Sequence, residues 1–193
     1  MAISLYDMSV PTYLQTLGAV SGFLEKGLAH CKECNVEPGQ VVEHRLFEDM
    51  APFAFQIRSV AHHSAGAMEA VKSGVFNPPG KAGPLSYSDL QGLVTEAKGK
   101  LEALKPDEVN ALEGKDVHFM FGETKIPFTA ETFVLSFSLP NFHFHATTAY
   151  DILRSRGVPI GKRDYMGRMR IKRCGRNLSL DGRHGYPEFA WLR

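Results

Sequence analysis

TAETFVLSFSLPNFHFHATTAYDILRSR, residues 129–156, is the longest apolar run in the chain and holds its densest group of potential ligands. At 100° per residue, Leu135, Leu139, Phe142, Ala146, Ala149 and Leu153 fall on one stripe, with Val134, Phe137, Asn141 and His145 along its flank. A helix apolar over more than one face is covered on more than one side, so this segment reads as the central helix of the fold. Pro140 removes one backbone donor and predicts a bend just before Asn141 and His145. Those two residues are four apart, one turn above the other, and can reach a common atom. His143 points the other way, so the unit is Asn-x-x-x-His rather than His-x-His. The plainer alternative is a histidine hydrogen-bonded into the core.

Working outward, residues 9–34 form an amphipathic helix with Leu14, Leu17, Leu24 and Leu28 at helical spacing, Ser9 as N-cap and Pro11 in the first turn. A short helical turn comes next, near residues 40–44. A second long helix starts after Asp49 or Met50 with Pro52 near its first turn and runs to Gly74, with Phe53, Ile57, Val60, Ala61, Ser64, Met68 and Val71 as its stripe. His62 and His63 lie on opposite flanks of that stripe, so at most one faces the interior. FNPPGKAGPLSY is a loop by composition, and Ser86 or Ser88 caps a third helix over residues 89–104. In VHFMFGETKIPFT the period changes to two, with Gly122-Glu123 as the turn of a β-hairpin that must pack against the helices. The expected fold is all-α: an up-down four-helix bundle with a small β-hairpin inserted before the last helix.

The chain has 193 residues, enough for one domain with a sizeable core. Its net charge of +1 hides an asymmetry: thirteen basic against eighteen acidic residues precede Lys162, and nine against three lie from there onward. An acidic body argues against nucleic acid as partner. No apolar run is long enough to span a bilayer and the N-terminus has no basic start before an apolar stretch, so the chain is expected to be soluble and cytoplasmic. Three cysteines argue against a disulfide framework. Cys31-Lys32-Glu33-Cys34 sits at a helix C-terminus, where the dipole raises rather than lowers a thiol pKa, and Cys174 is the only other cysteine available to a zinc site. Residues 1–169 read as the domain and residues 170–193 as a basic, poorly ordered extension.

YDMSVPTYLQTLG, RLFEDMAPFAFQ, FTAETFVLSFSLPNF and SLPNFHFHATTAYDILRSRGVPIGKRDYMG together resemble an uncharacterised domain family of the DinB/YfiT-like superfamily, over residues 1–169. The resemblance implies a four-helix bundle, commonly a homodimer. It further implies a divalent metal (Zn, Ni or Fe) held by one His of the second helix and a His-x-x-x-His or Glu-x-x-x-His pair of the last. Some members are metal-dependent transferases or isomerases acting with low-molecular-weight thiols. Carried over by position, the ligands are His62, with His63 as second choice, then Asn141 and His145, and Gln56, His63, His143 and Tyr150 are supporting pocket residues. Asn141 departs from the pattern, since an amide oxygen binds zinc weakly. The close relatives also carry an acidic residue where His62 stands. The expectation is a degenerate metal or small-molecule pocket between the second and last helices, of transferase or hydrolase type. Its rival is a non-catalytic dimeric bundle that binds a small ligand or a protein.

Overall fold

The computed structural model describes residues 3–81 and 83–171. The extension beyond Ile171, Cys174 included, lies outside the described residues. The chain is mostly helical with a small three-stranded sheet. Helix α1 is Leu5–Glu33 and the short α2 is Pro38–Val42. Helix α3, Phe53–Ala61, runs through a π-helical turn, His62–Gly66, into α4, Ala67–Ser73. Strand β1 is Val75–Phe76, α5 is Tyr87–Glu102 and α6 is Pro106–Asn110. Strands β2, Asp116–Phe121, and β3, Thr124–Thr129, form the hairpin. The last long helical stretch begins as α7, Ala130–Thr132, passes through a second π-helical turn, Phe133–Ser138, and continues as α8, Leu139–Ser155. A short helix, α9, is Lys162–Met166.

Three expectations need correction. Helix α1 starts four residues earlier than residue 9: Ser4 is its N-cap, accepting from the Asp7 N–H, and Pro11 lies inside the helix. The proline misleads because its missing donor looks harmless only in a first turn; here the Arg170 guanidinium reaches the Asp7 carbonyl instead, at 3.5 Å. The hairpin is not alone, since β1 pairs in parallel with β2, Val75 against His118 and Phe76 against Phe119, so the fold is not purely helical. Two residues of strand are too short to show a period. Third, the irregularity in the last helix is the π-turn itself. It ends just before Pro140, which lies inside the continuous helical stretch, since Ser138 and Leu139 already have helical backbone angles. The extra residue rotates the register, so Leu135 is 52 % exposed while Phe133 and Val134 are fully buried.

The sheet covers the second π-turn with aromatic rings. Phe119 lies 4.7 Å from Phe137 between ring centroids, Phe76 lies 5.2 Å from Phe133, and Phe128 packs against both Phe133 and Phe137. The hairpin thereby buries the aromatic surface of Phe133 and Phe137, whereas Phe144 stays 59 % exposed. On the opposite side α1 and α5 meet closely at Gly27, whose neighbours are Leu153 and the Tyr87 hydroxyl. That hydroxyl donates to the Leu24 carbonyl at 2.8 Å. A methyl at Gly27 must displace it and break the bond. Gly27→Ala is therefore expected to lower the unfolding free energy by about 2 kcal/mol through overpacking. Gly22→Ala, which meets nothing within 4 Å, is expected to raise it by roughly 0.5–1 kcal/mol through helix propensity. Urea unfolding midpoints of the two variants check the pair.

Candidate functional site

The two π-turns face each other. In the first, Ala67 gives its N–H to the Ser64 carbonyl, so the His63 carbonyl loses the donor that an α-helix would supply. Ser138, the last residue of the second π-turn, supplies the replacement: its hydroxyl donates to the His63 carbonyl at 2.6 Å. Within the second turn the Leu139 N–H reaches five residues back, to Val134. Turns of this kind re-aim side chains, and they concentrate at functional sites.

Histidines lie where the two helical stretches meet. His63 is turned inward, 6 % exposed, and its ring stacks on that of His145, with centroids 5.8 Å apart and planes 19° from parallel. Phe76 and Phe137 close the other sides of His63, at 5.3 and 5.7 Å. Phe55 and Phe144 stand edge-on to His145 at 5.7 and 5.3 Å. Gln56 holds His145 in one tautomer. Its amide nitrogen donates to the Ala51 carbonyl at 3.0 Å, which leaves its oxygen facing the Nδ1 atom of His145 at 2.7 Å. An amide oxygen only accepts, so Nδ1 carries the proton and Nε2 keeps its lone pair. The Nδ1 atom of His63 is buried with no hydrogen-bond partner. Buried polar atoms in that condition are few and point to a missing partner.

Burial fixes the charge state of the pair. It pushes His145 down to about 4. It pushes His63 down to about 3, helped by the neighbouring His62 and His145. Both rings are therefore neutral at neutral pH.

The other expected site residues go elsewhere. His62, first choice as ligand, faces the opposite flank. Its Nε2–H donates to the Asn77 carbonyl at 2.8 Å, and its ring packs on Phe76 at 4.5 Å. Helical register is the reason: His63 lies seven residues, two turns, after Gln56 and shares its face towards His145, whereas His62 is turned about 100° away. Asn141 lies one turn before His145, and its side-chain amide donates to the Phe137 carbonyl of its own helix at 2.7 Å. His143 and Tyr150 face α9: the Tyr165 hydroxyl is 3.5 Å from the Nδ1 atom of His143, and the Tyr150 ring packs on Tyr165 and Phe23. The structure thus brings His145, His63 and Gln56 together and leaves His62, His143 and Tyr150 out.

Among the described residues no three His, Cys, Asp or Glu side chains are grouped so that they could hold a metal ion. Two imidazoles and one amide fall short of the three strong protein ligands of a catalytic zinc centre. The residues present do not fit a resident catalytic metal. Cys31 is buried, with its thiol pKa raised by that burial, and Cys34 lies exposed at the end of α1, 3.7 Å from the His30 ring, which matches an inert helix terminus.

Sequence reasoning missed a cleft of about 330 Å³ on the His62 flank, between α3–α4, α5 and the loop at Pro78–Gly80. Its charges satisfy one another: Lys100 pairs with Glu69 at 3.2 Å and Glu96 at 3.0 Å, and Arg58 donates to the Gly80 carbonyl at 2.6 Å. It also missed Ser138, which no periodicity marks as more than a polar residue in an apolar helix.

A family model described as a domain of unknown function, DUF1993, matches residues 5–166. The chain belongs to the DUF1993 family. The DUF1993 fold of this chain is also similar to the crystal structure of a DinB family member from Shewanella denitrificans. The two are 21 % identical with a TM-score of 0.74, over 88 % of this chain and 96 % of that one. At that identity the likeness speaks for the fold. No curated protein matches the sequence.

The neutral pair makes the DUF1993 domain acid-sensitive. Free histidine takes up a proton near pH 6.5, whereas His145 and His63 in the native state do so only near 4 and 3. Above about pH 6.5 neither state is charged at these positions; as pH falls below that, the unfolded chain binds protons that the native chain refuses, and stability is lost. His63→Phe removes one such group together with the unpartnered nitrogen. It is expected to unfold at equal or higher urea concentration than wild type at pH 7.5, and to lose less of its midpoint on going to pH 4.5.

Proposed function

We propose that this DUF1993 protein is an up-down four-helix bundle that binds a small molecule between α3–α4 and α8, with His63 and His145 as its polar contacts. The observation that carries the reading is the buried, partnerless Nδ1 atom of His63 beside an imidazole whose tautomer Gln56 has fixed. A hydroxyl or thiol head group suits such a pair, because it can accept from one ring and donate to the Nε2 lone pair of the other. The walls of Phe55, Phe76, Phe137 and Phe144 call for an apolar or aromatic body. A low-molecular-weight thiol or alcohol of that shape is the proposed ligand class, met in the cytoplasm by a homodimer that covers the exposed Phe144 and Leu135.

Binding is favoured over catalysis by a simple comparison. For His145 to take the proton of a thiol, a base near 4 would have to deprotonate an acid near 8.5, uphill by about 6 kcal/mol at 1.36 kcal/mol per unit. A general base is useful when poised near the working pH. Transferase or hydrolase chemistry through this ring would therefore need a metal or another charge to lower the thiol pKa.

A second reading has one observation in its favour: two neutral imidazoles are in the protonation state that a zinc, nickel or iron(II) ion requires. His63, His145 and the Asn141 oxygen would hold it weakly. Two measurements separate the readings. Titration with benzyl alcohol and benzyl mercaptan, followed by the histidine and phenylalanine NMR signals, is expected to perturb His63, His145 and Phe137 in wild type and to lose the effect in His145→Ala. Elemental analysis of untagged protein is expected to find no stoichiometric metal. One equivalent of metal, absent from His145→Ala, would instead establish the second reading.

A further inference from the structure

We propose that Ser138, held in place by Tyr13, is the positioning residue of this site: by capturing the His63 carbonyl it holds the His63 ring against His145. Hydroxyls within helices ordinarily bond back to a carbonyl four residues earlier on the same helix. In this chain Ser9, Ser64, Thr95, Ser136 and Thr148 all do so, to Leu5, Val60, Gln91, Thr132 and Phe144. Ser138 does not. It donates across 75 residues of sequence to a carbonyl that the first π-turn has deprived of its α-helical donor.

The hydroxyl has a single proton, and the His63 carbonyl takes it. The contact with Tyr13, at 2.7 Å, must therefore run from the phenol to the serine oxygen. Tyr13 is fully buried, burial holds its phenol protonated, and its ring packs edge-on against Phe142 at 5.1 Å. One relay thus ties α1, the first π-turn and the second π-turn together, and Tyr13, Ser138 and His63 are all buried. Were Ser138 to bond its own helix, the His63 carbonyl would be left buried and unpaired. Pairing it again would need a different turn geometry or a shift of the two helices against each other, and either releases the His63 ring from its fixed place on His145.

The positioning role draws its functional meaning from the imidazole pair being the binding site, but its test reads geometry first. In the full chain, Ser138→Ala is expected to abolish the nuclear Overhauser contact between the His63 and His145 rings while helix content by circular dichroism is kept. His63 is expected then to titrate within the ordinary histidine range, about pH 6–7. Ser138→Thr, which keeps the hydroxyl, is expected to restore the contact. Retention of the contact and of the silent His63 titration in Ser138→Ala would overturn the proposal. If Ser138→Ala does not fold, Tyr13→Phe decides: it leaves the ring packing in place and removes only the phenol oxygen, so a weakened contact supports the relay and an unchanged one overturns it. Benzyl alcohol binding, measured alongside, keeps the two claims apart: loss of the ring contact in the variant, with no binding even to wild type, retains the positioning role and rejects the ligand reading.

Discussion

A π-helical turn fits one residue more into a helix than the α-ladder accommodates, and the described residues hold two such turns, His62–Gly66 and Phe133–Ser138, packed against each other. Each frees backbone groups that cannot stay unpaired in a dry interior. The crossing hydroxyl of Ser138 meets that demand for the first turn, and the aromatic faces of Phe76, Phe119 and Phe128 seal the second from water. Around them His63 looks at the last helix, His62 looks at the Asn77 carbonyl, and Leu135 looks at solvent.

The same seal sets the electrostatics. Taking two imidazoles out of water disfavours their charged forms, and no carboxylate stands among the contacts described for them to reverse that. Gln56 acts on His145 as a carbonyl often acts on a metal-bound histidine, fixing the tautomer and leaving Nε2 as an acceptor. Yet the third donor on offer for a metal centre is the amide oxygen of Asn141, a weak ligand, and the expected histidine of the second helix has turned away. For a polar pair inside an aromatic box, neutral and partly unpaired, we therefore propose the holding of a molecule rather than the movement of its proton.

The long helices, the Ser86 cap, the hairpin with its Gly122-Glu123 turn and the Gly157 terminator are legible in the sequence because each rests on local rules of period and capping. The start of α1 is not, since a proline inside a helix and a proline in its first turn look alike until the distant Arg170 is seen. The π-turns leave a trace that is easy to misread. Along the last helix the buried positions run Val134, Ser138, Phe142, Ala146, three steps of four where a regular helix alternates threes and fours. Ser138 hides these steps by being polar, so an apolar stripe passes instead through Leu135 and Leu139. Along α3–α4 the steps Val60, Ser64, Met68 carry the same mark. The choice of His62 over His63 is a separate miss, since Gln56 and His63, seven apart, share one helix face. Asn141 and His145 keep their mutual spacing, because spacing on a helix survives a change of register further along it, and Gln56 meets His145 from the neighbouring helix. Phe76 and Asn77 enter the site region only through tertiary contact, which no window of sequence contains.

The most direct measurement is a long-range proton–nitrogen correlation spectrum of the histidine rings in the wild-type chain, recorded from pH 8 down to pH 4.5. The expected spectrum shows a His145 ring protonated at Nδ1 with an unprotonated Nε2, a His63 ring in contact with it, and neither changing charge until the acid end of the range. A His62 ring in contact with His145, or a His63 that titrates near pH 6.5 like a free histidine, would contradict it.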